Sequence, residues 1–326
     1  MTRSTGPGDT MIEINDLCRT FKTRGGTVDA VRGVDLSVRA GEIFGFLGPN
    51  GAGKTTTLRM LATLLPPTSG RATVAGADLA REPQAVRRRI GYVPQGGSTD
   101  PAATGREELV IQGRLYGMDR AKARARAAEV LTALDLEHAA DRATGTYSGG
   151  MRRRLDIGLG IVHRPAVLFL DEPTTGLDPQ ARARMWDEIR VLRDAGTTVF
   201  LTTHYLEEAD ALADRLAIID QGRIVAEGTA DELKRQVAGD VVTIGIDGNV
   251  ERVLETVRGQ AFVREASSEE DVVRLYVDQG DTAVPDLIRI LDRAGLRPQT
   301  ISLARPSLDD VFLRQTGRSL REEPAA

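Results

Sequence analysis

The residues with the clearest chemical potential are Gly48-Pro49-Asn50-Gly51-Ala52-Gly53-Lys54-Thr55, a G-x-x-x-x-G-K-[ST] run. Glycines let successive backbone N–H groups converge on one point, and converging N–H groups bind phosphate oxygens. A helix opening straight after the run aims the positive end of its dipole at the same place. Lys54 then supplies charge to the β- and γ-phosphates, Thr55 supplies a hydroxyl to Mg²⁺, and Thr56 extends the cradle. The flanking elements suit this task. Residues 42–47 (EIFGFL) form an apolar run fit for a buried strand, and residues 56–65 read as a helix that Pro66-Pro67 stops. That strand–loop–helix context separates a phosphate-binding loop from a Gly-rich turn carrying a surface lysine.

Further groups follow in order. Residues 165–171 (PAVLFLD) form a second apolar strand ending at Asp171, with Glu172 next. Ligands of α/β sheets gather at the carboxyl ends of strands, which puts Asp171 beside Mg²⁺ and Glu172 where it can orient and deprotonate a water. Ser148-Gly149-Gly150 precede a helical segment at 151–162 and offer a second anion nest. Gln95 follows a strand at 90–93, His204 follows a strand at 198–202, and Gly176-Leu177-Asp178 lie between. Taken singly, Gln95 is a turn residue, Asp178 a helix cap and His204 a loop histidine.

Taken in order, they resemble the ABC ATPases. Y-S-G-G-M-R-R-R-L-D at 147–156 is similar to the signature motif of that family, with Tyr147 for the common leucine and Met151 for the common glutamine. The resemblance implies an α/β P-loop NTPase domain that binds ATP and Mg²⁺. It makes Lys54, Gln95, Glu172 and His204 the catalytic set and Thr55, Gln95 and Asp171 the metal set. It further implies that Ser148, Gly149, Gly150 and the D-loop Asp178 contact nucleotide, and that Phe21 stacks on adenine. One P-loop and one signature per chain then imply a head-to-tail homodimer, each γ-phosphate held by Lys54 and His204 of one subunit and the Ser148–Gly150 nest of the other. The phrases T-G-R-E-E-L (104–109), G-R-L-Y-G (113–117), L-T-T-H-Y-L-E-E-A-D (201–210) and P-S-L-D-D-V-F (306–312) look like the daunorubicin-resistance group of ABC ATP-binding proteins. Glu108 stands where that group is expected to have asparagine, and His204 where it often has glutamine. The implied function is ATP hydrolysis that energises efflux of a drug-like or lipid-like substrate through a separate ABC-2-type membrane permease, with this subunit peripheral at the cytoplasmic face of the membrane. The alternative is a soluble ABC ATPase acting as a mechanical factor in translation or DNA repair. Such factors usually carry two cassettes or a long coiled-coil insertion, and neither is present.

The rest of the chain must carry these groups. Its 326 residues, 41% hydrophobic and 28% charged, leave room for one large unit and one small one. A formal charge of −4 excludes a chain-wide electrostatic footprint for nucleic acid, so no nucleic-acid partner is expected, and Arg87–Arg89 and Arg152–Arg154 read as solvated or ion-paired faces. No run approaches the roughly 18 apolar residues of a membrane span, and residues 1–10 lack a signal-peptide core. Cys18 is the only cysteine, forms no intrachain disulfide and is expected to pack. Helices are expected at 104–116 and 120–134, where Ala127, Val130, Leu131 and Leu134 form a core stripe; the resemblance makes about 96–160 a helical subdomain. From 240 the order changes to strand 241–246, helix 250–258, strands 261–265 and 272–277, helix 284–294 and strand 300–304. This βαββαβ pattern suggests a small α+β accessory domain of ferredoxin-like type. The expected division is a disordered start at 1–10, the ATPase domain at 11–235, the accessory domain at 236–317 and a disordered tail at 318–326.

Overall fold

The computed structural model describes residues 10–318, apart from Arg24, Val237, Ala238, Asp247, Asn249, Glu270 and Arg305. The expected disordered ends lie outside the described residues except at Thr10 and Arg318. The chain divides between Thr229 and Ala230 into two units. The first runs β1 (Thr10–Thr23), β2 (Gly26–Arg39), β3 (Ile43–Leu47), α1 (Lys54–Leu61), β4 (Ser69–Val74), β5 (Ala77–Asp78), α2 (Pro83–Arg89), β6 (Ile90–Val93), α3 (Gly105–Leu115), α4 (Arg120–Ala133), α5 (Gly149–Ile161), β7 (Val167–Asp171), α6 (Pro179–Asp194), β8 (Thr198–Thr203), α7 (Leu206–Leu212), β9 (Arg215–Asp220) and β10 (Arg223–Gly228).

Strands that are apolar on both faces must be covered on both faces. In β3, β7 and β8 every residue is buried, and they lie in a six-stranded sheet of order β10-β9-β3-β8-β7-β6, parallel except for β10 at the edge. One face carries Phe44, Phe46, Phe169 and Phe200, with ring centroids 5.6–5.8 Å from Phe200. These rings join α1 and an antiparallel sheet of order β2-β1-β4-β5 in one core. The other face carries Ile43, Leu168, Leu170, Val199 and Leu201 and shares a core with Leu109, Ala127, Val130, Leu131 and Leu134 of the helical segment. Among the described residues no helix is long and apolar enough to cross a membrane.

Helix α1 starts at Lys54, two residues before the expected 56, and ends at Leu61 rather than 65. Thr63 turns left-handed (φ 60°), its N–H bonds the Met60 carbonyl at 3.0 Å, and the Leu64 N–H bonds the Arg59 carbonyl at 2.9 Å. This closure terminates the helix before Pro66 is reached.

The second unit comprises α8 (Ala230–Gln236), β11 (Asp240–Gly245), α9 (Val250–Arg258), β12 (Val263–Glu269), β13 (Val272–Val277), α10 (Gly280–Arg293), β14 (Thr300–Ala304) and α11 (Leu308–Thr316). Its antiparallel sheet has the order β12-β13-β11-β14, the 4-1-3-2 arrangement of a ferredoxin-like βαββαβ unit. Val253, Val257, Leu287 and Leu291 of α9 and α10 cover Val242, Ile244, Val273 and Leu275. The division falls ahead of the expected 235/236, so α8 lies in the second unit. Helix α10 begins four residues before the expected 284 and carries Pro285 in its interior, although proline more often marks a first turn. Helix α11, absent from the expected pattern, is closed by a Ser307/Asp310 capping box.

Candidate active site

Strands β3, β8, β7 and β6 are successive neighbours, so the segments leaving their carboxyl ends meet along one edge of the sheet. Those segments are the P-loop after β3, His204 after β8, Asp171-Glu172 at the end of β7 and Gln95 after β6. Topology thus converts residues up to 156 positions apart into one cluster.

The P-loop closes through the Gly48 N–H on the Thr203 carbonyl (3.2 Å) and the Ala52 N–H on the Pro49 carbonyl (3.2 Å). Gly53 caps α1 with φ 106°, and a Cβ there would stand 2.5 Å from the Ala30 carbonyl oxygen. Gly51 also has positive φ (78°), but a Cβ on it would meet nothing within 4 Å. One glycine therefore lets β2 pass close by, and the other faces open space. Asn50 is exposed and Thr56 half-buried. Lys54 is 4% exposed, and its Nζ donates to the carbonyls of Gly48 (2.8 Å) and Pro49 (3.0 Å).

Thr55 Oγ1 donates to Asp171 Oδ1 at 2.9 Å, and Thr202 Oγ1 donates to the same oxygen at 2.8 Å. Asp171 Oδ2 is buried with no hydrogen-bond partner. A hydroxyl beside an orphaned carboxylate oxygen is a hard-oxygen donor set, and Mg²⁺ is commonly bound by one or two such groups together with substrate phosphates. These residues fit that ion.

Glu172 is the hub. Lys54 Nζ lies 3.4 Å from its Oε1; Gln95 Nε2 donates to its Oε2 at 2.9 Å, Thr175 Oγ1 at 3.2 Å, and His204 Nδ1 lies 3.2 Å from the same oxygen. Burial alone would push this carboxyl up, but the His204 imidazole and the Lys54 ammonium outweigh it and hold its pKa at about 2. Burial lowers the Lys54 pKa, while Glu172 and Asp171 act against that fall. The backbone at Glu172 is left-handed (φ 46°), held by its N–H on the Thr202 carbonyl (3.2 Å) and Thr202 Oγ1 (3.0 Å). Behind it, the fully buried Glu208 of α7 accepts from Thr174 Oγ1 (2.8 Å) and from the Trp186 indole N–H (3.1 Å), tying α6 and α7 to the segment after Glu172. Burial pushes Glu208 up.

Phe21 lies on the β1/β2 hairpin opposite Val28, close in register to the Ala30 that faces Gly53, with the Arg19 guanidinium 4.7 Å from its ring centre. Ser148, Gly149, Gly150 and Asp178 are not in the Glu172 cluster. They line a separate cleft of about 340 Å³ together with Arg154, Ala181 and Glu188. There Ser148 Oγ caps α5 by accepting from the Met151 N–H (3.2 Å), and Asp178 Oδ1 caps α6 by accepting from the Ala181 N–H (2.8 Å).

Within the arginine run at 152–154, expected to be solvated or ion-paired, Arg153 is buried, with Asp156 Oδ2 at 4.0 Å from its Nη1. Its Nε donates to the Pro173 carbonyl (2.7 Å), Nη1 to the Pro94 carbonyl (2.7 Å), and Nη2 to the carbonyls of Asp171 (3.1 Å) and Glu172 (3.4 Å). A signal existed in the sequence: Ile157, Gly160 and Ile161, at i+4, i+7 and i+8, mark the buried face of α5 on which Arg153 sits.

Residues 31–175 match the family model described as ABC transporter, and residues 228–316 match that of the ATP-binding protein DrrA1-3-like, C-terminal domain. The daunorubicin resistance ATP-binding protein DrrA2 of Streptomyces coeruleorubidus is 50% identical over 300 residues, covering 91% of this chain and 93% of that protein. The chain belongs to the daunorubicin-resistance family of ABC ATP-binding proteins. Another member, the doxorubicin resistance ATP-binding protein DrrA of Mycobacterium tuberculosis, is 42% identical over 314 residues, 94% of each chain. A dimeric ATP-binding cassette in a post-hydrolysis state, bound to ADP and Pi, superimposes with a TM-score of 0.62 at 26% identity, covering 67% of this chain and 98% of that one. As an ABC ATPase, the protein binds and hydrolyses ATP.

Proposed function

We propose that the protein is the ATP-hydrolysing subunit of an exporter for a drug-like or lipid-like compound, working as a homodimer against a separate ABC-2-type permease at the cytoplasmic face of the membrane. The observation that carries the chemistry is the Glu172 carboxylate, gathered by Lys54, Gln95 and His204 at the mouth of the P-loop. In this reading the N–H groups of residues 48–55 cradle the triphosphate, Lys54 reaches the β- and γ-phosphates, and Phe21 stacks on adenine. Thr55, Asp171 and Gln95 hold Mg²⁺, which when bound neutralises charge developing on the transferred phosphoryl group. His204 holds the γ-phosphate, and Glu172 takes a proton from the attacking water. A base at a pKa of about 2 is too weak for that task near neutrality. A triphosphate in the loop competes for Lys54 and adds negative charge, and both effects raise the Glu172 pKa toward a useful range.

The nest at Ser148, Gly149 and Gly150, with Asp178 beside it, completes the site of the second subunit. Its separation from the chain's own P-loop supports that reading, as does the dimeric cassette to which this chain is similar. Ile111 and Leu115, exposed on α3, and Arg87 and Arg88 on α2 offer the permease an apolar surface with a basic flank. The relatives, named for drug resistance, lend no support to the alternative of a translation or DNA-repair factor. The test is Glu172→Gln. We expect it to abolish turnover and to elute as a dimer in ATP; a variant that keeps turnover, or stays monomeric in ATP, overturns the assignment.

A further inference from the structure

We infer that Arg153 is a positioning residue for hydrolysis, holding the Glu172 backbone and the Gln95 segment in one frame with the helix that begins at Ser148. This rests on the reading of Glu172 as the base.

A guanidinium offers five N–H donors in a planar fork and stays charged when buried, so it can collect several backbone carbonyls at once. Arg153 does this with four: Pro94, one residue before Gln95; Asp171 and Glu172 at the end of β7; and Pro173 beyond. The left-handed conformation of Glu172 turns its carbonyl out of the regular strand course, and such a conformation in a non-glycine residue persists only where the surroundings over-determine it. Thr202 secures the N–H side of Glu172 and Arg153 the carbonyl side.

One turn further along α5, Asp156 grips the far end of the same loop. Its Oδ1 accepts from the Ser98 N–H (2.8 Å) and Ser98 Oγ (3.2 Å), and its Oδ2 lies 4.0 Å from Arg153 Nη1. The two side chains bracket residues 94–98, and Gln95 between them donates to Glu172. The helix, the loop and the carboxylate are therefore one mechanical unit. Arg153 donates to none of the P-loop residues, so nucleotide affinity should be largely independent of it.

The full-length protein is compared as wild type, Arg153→Met, Arg153→Lys and Glu172→Gln for steady-state ATP turnover and for binding of a fluorescent ATP analogue. For Arg153→Met we expect kcat to fall about 30- to 100-fold, the scale on which a small misplacement of a reacting group acts. Analogue affinity should stay within about threefold, the split that marks loss of a transition-state interaction. Arg153→Lys should recover part of kcat, because an ammonium reaches only some of the four carbonyls. A folded Arg153→Met protein with kcat within about threefold of wild type overturns the inference, and so does a parallel loss of kcat and affinity. If Arg153→Met does not fold by circular dichroism, Arg153→Lys is judged by the same split. Wild-type turnover in Glu172→Gln overturns the base assignment and this inference with it; loss in Glu172→Gln beside an unaffected Arg153→Met overturns this inference alone.

Discussion

Lys54 and Glu172 form an ion pair of 3.4 Å with both side chains almost out of solvent, at 4% and 7% exposure. A buried pair with these partners makes each group a condition for the other's charge, and that has a consequence for acid stability.

The folded-state pKa of Glu172, about 2, lies below the ordinary 4.5. A depressed carboxyl contributes stability that is fully present above the unfolded value and is lost as pH falls through the folded one. The difference corresponds to on the order of 3 kcal/mol at about 1.4 kcal/mol per pH unit. Glu172→Gln should therefore be less stable than wild type at pH 7, and the gap should close between pH 4.5 and 2. Urea titrations at pH 7 and pH 3 check this; a gap of equal size at both rejects it.

Glu188 runs the other way. Burial pushes its carboxyl up to about 7, and Arg154, 3.8 Å away, offsets this only in part. A raised acid costs nothing below its unfolded pKa and destabilises as pH rises through the folded one. Glu188→Gln is expected to stabilise the protein by on the order of 1–3 kcal/mol at pH 8 and by little at pH 4.5. Thermal melts at the two pH values read the sign directly.

The two P-loop glycines should separate folding from binding. Gly53→Ala drives a Cβ into the Ala30 carbonyl and should lower the melting temperature sharply. Gly51→Ala meets only open space and carries a conformational cost of about 1 kcal/mol. It should fold, and a methyl group added in the open space beside the loop is expected to weaken ATP binding; calorimetric titration with ATP distinguishes the two.

Asp178 caps α6, and asparagine caps as well as aspartate does. Asp178→Ala should lose about 1 kcal/mol and Asp178→Asn almost nothing. If its charge also acts across the dimer, turnover should fall in both variants. Unchanged turnover in Asp178→Asn would leave the residue as a cap alone.

The fold and site were legible in unequal parts. The P-loop could be read because its chemistry needs contiguous residues and the flanking apolar runs have the right lengths. Asp171 and Glu172 could be placed because they end an apolar strand, whereas Gln95 and His204 came from resemblance, since strand order is a property of the sheet and not of any local window. The antiparallel sheet of the first unit escaped because β1 and β2 are irregular: their register shifts at Ile14/Leu17 and again at Arg19/Thr20, and Asp16 turns left-handed, which breaks the alternation that marks a strand. The run at 152–154 reads as solvated or ion-paired, but the burial of Arg153 depends on backbone carbonyls that no sequence displays, and only the apolar face of α5 points to it. In the second unit the strand and helix order was legible from alternation, but α11 spans only nine residues and sits past the last expected strand.

The indole of Trp186 belongs to the only tryptophan in the chain, and it donates to a fully buried carboxylate on the helix that follows His204. Native tryptophan emission therefore originates at one known place, on the helix that Asp178 caps and against the same Glu208 carboxylate that accepts from Thr174. An unlabelled, unmutated sample carries its own optical reporter. A shift in its intensity or wavelength on adding nucleotide would time the rearrangement of α6 and α7 against phosphate release in a stopped-flow instrument, without any chromophore being introduced.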